Sequence, residues 1–161
     1  MAVSDPLFLD KSNPELWNSL GKFSNQLAKS YKAAGISERL AELVNLRVSQ
    51  INGCAYCLDL HARKVLEAGE SMQRINLLRT WKECDGMFTE EEGAALGLAE
   101  AATDLPVPEE RVAAVASARL VFSDEQVAAI QWLAVAMNAF NRISILSRHP
   151  VKERELGVSG Q

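Results

Sequence analysis

One pattern recurs along this chain: a capping residue, then an apolar stripe at spacings of three and four, then a glycine or proline stop. Period-two alternation is nearly absent. A chain written this way has to pack helix against helix. Asn13-Pro14 opens the first segment, with proline at the first helical position, where its missing N–H costs nothing. The stripe Leu16, Leu20, Phe23, Leu27, Tyr31 then runs to Gly35. Ser37 caps a second helix through Leu40, Leu43, Val44, Leu46 and Val48 toward Ile51. Asn52-Gly53 interrupts it, because glycine costs about 1 kcal/mol in a helix interior and asparagine prefers caps and turns. A third helix starts near Cys54 and ends at Gly69, and Ser71 caps a fourth through Ile75, Leu78 and Trp81. Thr89-Glu90-Glu91-Glu92 is a capping box opening an alanine-rich helix to about Thr103. Pro106-Val107-Pro108 marks a loop before a helix over 109–120. Ser123-Asp124-Glu125-Gln126 is a second capping box, with Phe122 and Val127 placed to staple the last long helix, which runs to about Leu146. The expectation is an all-α, single-domain fold of about six to seven helices, with its core over about 15–146. Residues 150–161, with their polar run Lys152-Glu153-Arg154-Glu155, read as a frayed tail.

Length and charge narrow the function. A chain of 161 residues suits one domain spanning 1–161, and 48% hydrophobic with 24% charged residues is a globular balance. The net charge of −4, with no basic stripe, argues against nucleic acid and against an anionic membrane surface as partners. No segment approaches the ~20 apolar residues of a membrane helix. Met1-Ala2-Val3-Ser4-Asp5-Pro6 lacks the basic and apolar runs of a secretory signal, so a cytoplasmic setting is expected. There, a close cysteine pair is more often catalytic or metal-binding than structural.

That pair lies in Asn52-Gly53-Cys54-Ala55-Tyr56-Cys57-Leu58-Asp59-Leu60-His61. On a helix Cys54, Cys57 and His61 share one face within two turns. Cys54 follows Gly53 directly, so both thiols lie in the first turn, where free N–H groups and the positive dipole end favour thiolate. His61, one turn on, is placed to take a proton or stabilise the anion. Glu42 would stand about 18 Å from Cys54 on a straight helix, at ~1.5 Å per residue. The Asn52-Gly53 break lets the chain fold back, so that Glu42 can orient the imidazole or accept its proton.

Glu42, followed after eleven residues by Cys54-x-x-Cys57-x-x-x-His61, resembles the signature of the alkyl hydroperoxidase D branch of the carboxymuconolactone decarboxylase-like superfamily. Residues Ser37–Val44, Trp81-Lys82-Glu83, Phe88–Leu96 and Asn138-Ala139-Phe140-Asn141-Arg142 are similar to that branch too, and the resemblance covers about 15–146. It implies an all-α fold, homo-oligomers (trimers, or hexamers built from them), and hydroperoxide reduction through a Cys–Cys disulfide that an external dithiol restores. Carried over to this chain, Cys57 is the attacking thiolate, Cys54 the resolving thiol, and His61 with Glu42 the proton relay. The local argument agrees on Cys57, one turn from His61; thioredoxin-type sites set the opposite precedent. Some members carry a histidine between the cysteines, where this chain has Tyr56. No cofactor and no metal are called for.

Other readings stand beside this one. Cys54, Cys57, His61 and Glu42 could be four zinc ligands, although no second CxxC or HxxxH accompanies them. Glu42 could instead be a structural carboxylate paired with Arg47. A protein disulfide oxidoreductase, a redox sensor and a lactone decarboxylase are the alternative activities, the last disfavoured by the cysteine pair. Cys84 reads as a passive thiol, His149 beside Pro150 as an exposed tail residue, and Trp17, Trp81 and Trp132 as core or interface. Asn138, Asn141 and Arg142 could line a pocket or a subunit contact.

Overall fold

The computed structural model describes residues 5–154. Among them, eight α-helices follow in order: α1 (Leu9–Ser12), α2 (Pro14–Ala33), α3 (Glu38–Asn52), α4 (Ala55–Glu67), α5 (Met72–Leu77), α6 (Glu90–Asp104), α7 (Pro108–Ala118) and α8 (Asp124–Leu146). No strand occurs among the described residues, so the all-α expectation holds, with more helices than six to seven. The addition is α1, a single turn before the Asn13 cap. The fourth expected helix is also shorter than its pattern: past Leu77 it gives way to a 3₁₀ segment over Leu78–Glu83, where Thr80 leaves helical geometry and its hydroxyl donates to Leu77 O at 3.1 Å.

The caps act as their chemistry requires. Asn13, Ser37, Ser71, Thr89 and Ser123 each accept a backbone N–H with the side-chain oxygen, and both capping boxes are closed. Phe122 and Val127 are both buried, as a staple needs.

Helix α3 is the centre of the fold and packs against α4, α6 and α8. Its Ala41, Val44 and Val48 join a cluster with Leu98 of α6 and Ile130 and Leu133 of α8. Its Leu43 and Leu46 face the other way, onto Val65 of α4, Ile75 of α5, Leu78 and Leu96. A helix buried on two sides is held in place by both, which makes its side chains a fixed reference for the neighbours. The α2 stripe begins later than its spacing predicts: Leu16 is exposed, and burial sets in only at Leu27 and Tyr31.

Two charge clusters tie the connections down, the first around the buried carboxylates Glu70 and Glu92. Arg74 bridges Glu70 and Glu92, both at 2.8 Å, with Arg39 closing the group at 3.0 Å from Glu92. Glu100 accepts from Arg47, Lys82 and the Trp81 indole N–H. Past α8, residues 151–154 are irregular, and Arg154 reaches Asp59 at 2.9 Å. The rest of the expected tail, 155–161, and Met1–Ser4 lie outside the described residues. No described helix is long and apolar enough to cross a membrane.

Candidate active site

The corner between α3 and α4 is built from a single residue. Gly53 takes φ +67°, the left-handed region that glycine enters without penalty. Its N–H donates to Gln50 O at 3.4 Å, and the Cys54 N–H donates to Ser49 O at 3.1 Å, the paired closure of a Schellman motif. Cys54 then starts the next helix: its backbone is extended, and its Sγ accepts the Cys57 N–H at 3.4 Å. Cys54 and Cys57 form a disulfide pair with Cα atoms 5.3 Å apart.

The corner lays α4 back along α3, and this is what brings Glu42 to His61. Glu42 Oε2 stands 2.5 Å from His61 Nδ1, with both side chains buried. Asn45 Nδ2 donates to Glu42 Oε1 at 3.5 Å, and the half-exposed Lys64 Nζ lies 3.9 Å from the same oxygen. Arg47 is not a partner of Glu42; it pairs with Glu100 at 2.8 Å, on the other side of α3.

Glu42, Cys57 and His61 share one cavity of about 520 Å³, walled by apolar side chains including Leu27, Leu133, Met137 and Phe140. Cys54 is not among the lining residues and is 1% exposed. The two sulfurs are therefore inequivalent: Cys57 looks into the cavity and Cys54 sits behind it. Tyr31 is on the same wall. Burial, then the charges of Glu38 and Glu42, push its phenol above the ordinary 10.0, so it stays protonated at neutral pH.

The asparagines of α8 belong to the scaffold of this corner. Asn52 Nδ2 donates to Asn138 Oδ1 and Asn141 Oδ1, both at 2.9 Å, and Asn141 Nδ2 donates to Ser49 Oγ at 3.1 Å. They fasten the last turn of α3 to α8, and neither lines the cavity. Arg142 is exposed and donates back to Asn138. Trp17 is a cavity wall set edge-on to Phe140, Trp81 packs at the margin of the second cluster, and Trp132 is 54% exposed. Cys84 has no cysteine partner and its thiol donates to Thr80 O. Among the described residues, no group of three or more His, Cys, Asp or Glu converges as metal ligands would.

His149 corrects the expectation of an exposed tail residue. Arg148 turns left-handed at φ +52°, and the His149 N–H donates to Ser144 O at 3.1 Å, so the chain doubles back over the end of α8. His149 Nε2 meets Asp10 Oδ1 at 3.1 Å and Nδ1 meets Ser144 Oγ at 3.3 Å. The ring stacks on Phe8 and stands edge-on to Tyr56, 5.3 Å between centroids. Asp10, Tyr56, Ser144 and His149 all line the cavity. The signal in the sequence was slight: the chain has two histidines, and one follows a helix end directly.

A sequence model of the carboxymuconolactone decarboxylase family matches residues 14–101. YdfG of Bacillus subtilis (strain 168), an uncharacterized protein, is 39% identical over 127 residues, which are 77% of this chain and 84% of YdfG. Alkyl hydroperoxide reductase AhpD of Coxiella burnetii is 46% identical over 41 residues, 26% of this chain and 23% of that protein. The crystal structure of ATU0492 from Agrobacterium tumefaciens superimposes with a TM-score of 0.79 at 33% identity, over 92% of this chain and 100% of that one. ATU0492 is described as a protein of unknown function, provisionally an antioxidant defence protein AhpD.

Proposed function

The chain belongs to the carboxymuconolactone decarboxylase family, in its AhpD-like branch, and from that premise we propose that it is a thiol-dependent peroxidase acting on organic hydroperoxides. The observation that carries this reading is the shared cavity: Cys57, His61 and Glu42 line it, while Cys54 waits behind at disulfide distance. With Nδ1 of His61 donating to Glu42, Nε2 is the basic nitrogen, free to take the Cys57 proton.

The cycle runs in three steps. The Cys57 thiolate attacks the peroxide O–O bond; an S–O bond forms, the O–O bond breaks, and the sulfur is oxidised to a sulfenic acid as the alkoxide leaves and takes up a proton to become the alcohol. The Cys54 thiol attacks that sulfur, closing the disulfide and releasing water. An external dithiol then reduces the disulfide by exchange and leaves oxidised. No bound cofactor is needed, and a cytoplasmic setting would supply the dithiol.

The burial of both cysteines supports peroxidase over protein disulfide oxidoreductase. At 1% and 3% exposure they offer no seat to a folded protein disulfide, whereas a small peroxide can reach Cys57 through the cavity. The exposed Leu16, Trp132 and Val135 support the further reading that one domain, residues 1–161, assembles as a homo-oligomer, trimeric or hexameric. Sedimentation equilibrium checks that, and a monomer at micromolar concentration would overturn it.

The test of the activity is stopped-flow oxidation of the reduced protein by cumene hydroperoxide. The Cys54→Ser variant should still consume one equivalent and stop at a sulfenic acid; Cys57→Ser should consume none above background. Equal reactivity of wild type and Cys57→Ser would end the peroxidase reading.

A further inference from the structure

We propose that Asp10, His149 and Ser144 form a second proton relay of the same cavity, which protonates the alkoxide released when Cys57 attacks the peroxide; the proposal rests on the thiol-peroxidase reading above. Attack on a hydroperoxide has two proton demands. The Cys57 thiol must lose one, and the departing alkoxide must gain one, because an alkoxide is a poor leaving group in an apolar cavity. Glu42 and His61 answer the first demand. The other charged groups on the cavity wall are paired among themselves or with Glu42: Lys32 with Glu38 at 3.5 Å, and Lys64 with Glu42 at 3.9 Å. Asp10–His149–Ser144 is a further acid–base chain among the described lining residues, bonded end to end at 3.1 and 3.3 Å.

Its position suits the task. The imidazole of His149 lies edge-on against Tyr56, the residue immediately before Cys57. Asp10 holds one ring nitrogen, which turns the other toward Ser144 Oγ, and Ser144 lines the cavity. The fold also accepts strain to hold the ring there. Arg148 occupies a left-handed conformation, φ +52°, that is unfavourable for a non-glycine residue. Helix α1 is pinned over it by the Leu9 N–H donating to Ser147 Oγ at 2.9 Å and by the Phe8 ring.

In the proposed step the Cys57 sulfur bonds to the terminal peroxide oxygen and the O–O bond breaks. The electron pair of that bond stays on the leaving alkoxyl oxygen. Ser144 passes its hydroxyl proton to that oxygen and takes the Nδ1 proton of the His149 imidazolium. Sulfenic acid, alcohol and neutral His149 result, so atoms, charge and electrons balance.

The experiment compares leaving groups. Reduced wild type, His149→Gln and Asp10→Asn are each mixed in single turnover with tert-butyl hydroperoxide, whose leaving group is an alkoxide, and with peracetic acid, whose leaving carboxylate needs no proton. His149→Gln should slow the first reaction about 10- to 100-fold and change the second by less than about twofold; Asp10→Asn should follow in the same sense, more weakly. A merely structural strap would move both peroxides alike. Equal slowing of both, or no slowing with tert-butyl hydroperoxide, overturns the relay; Asp10→Asn decides the same question if His149→Gln does not fold. A wild type inert to both peroxides removes the peroxidase reading, and the relay with it.

Discussion

Replacing Glu42 with glutamine isolates the charge of the buried dyad. The amide keeps the volume of the carboxylate, and its oxygen can still accept the Nδ1–H that now goes to Glu42 Oε2 at 2.5 Å. What disappears is the negative charge that stabilises His61 once it has taken the Cys57 proton. Both side chains are less than a tenth exposed, so water replaces little of that stabilisation. A hydrogen bond to a charged partner contributes about 1.5–3 kcal/mol, and about 1.4 kcal/mol is tenfold in rate. If the whole difference falls on the proton-transfer step, single-turnover oxidation by cumene hydroperoxide slows about 10- to 150-fold. The assay is stopped-flow thiol loss in the reduced protein at neutral pH, with far-UV circular dichroism confirming the fold. Lys64→Gln is the control: at 3.9 Å and half exposed, its ammonium is screened, and the rate should change less than about twofold. A Glu42→Gln rate within about twofold of wild type would refute the assignment of Glu42 to the relay.

Further expectations concern the scaffold. Burial raises the carboxyls of Glu92 and Glu100, but hydrogen bonds from Arg74 and Thr89 to the one, and from Lys82, Trp81 and Arg47 to the other, outweigh it and leave both below the ordinary 4.5. Carboxyls depressed by folding add stability above their unfolded value and lose it as pH falls through the folded one. Thermal midpoints should therefore drop as pH is lowered below 4.5, and less steeply in Glu92→Gln, which keeps the capping box; a flat profile in wild type would contradict the ion-pair account. Gly53→Ala meets no atom within 4 Å, so its whole cost is the left-handed backbone, about 1–2 kcal/mol in urea unfolding; a neutral result would mean the corner relaxes. Asn141→Ala removes the buried links to Asn52 and Ser49 and should lose about 2–4 kcal/mol, with slower Cys57 oxidation, whereas loss under 1 kcal/mol would show that Asn138 alone holds the turn.

Much of the fold is legible in the sequence because helix ends are local chemistry. A serine or threonine hydroxyl, a Glu or Gln three residues on, and a glycine at positive φ act within one turn, so Ser37, Thr89, Ser123, Gly53 and Gly69 mark boundaries without knowledge of the rest. The face shared by Cys57 and His61 is local in the same way. Glu42 meeting His61 is not: it depends on the direction in which a left-handed residue sends the chain, and on α3 being gripped from both sides. His149 was illegible for a related reason. Its place depends on a non-glycine residue entering the left-handed region and on a contact with Asp10, 139 residues away in sequence. Exposure of Leu16 shows the converse, a stripe that continues in sequence beyond the surface its own chain supplies to cover it.

The one-residue corner at Gly53 also fixes the angular phase of α4. Successive helix residues point about 100° apart, so one residue inserted or removed between Asn52 and Cys54 would rotate every side chain of α4 by that angle relative to α3. Cys57 and His61 would keep their mutual spacing and leave Glu42 together, turning away from the cavity as a unit. In a chain of this kind the length of the α3–α4 connection therefore sets which face of α4 is reactive, as firmly as the identities of the residues on it. An insertion that a surface loop would tolerate should here abolish activity while leaving both helices formed.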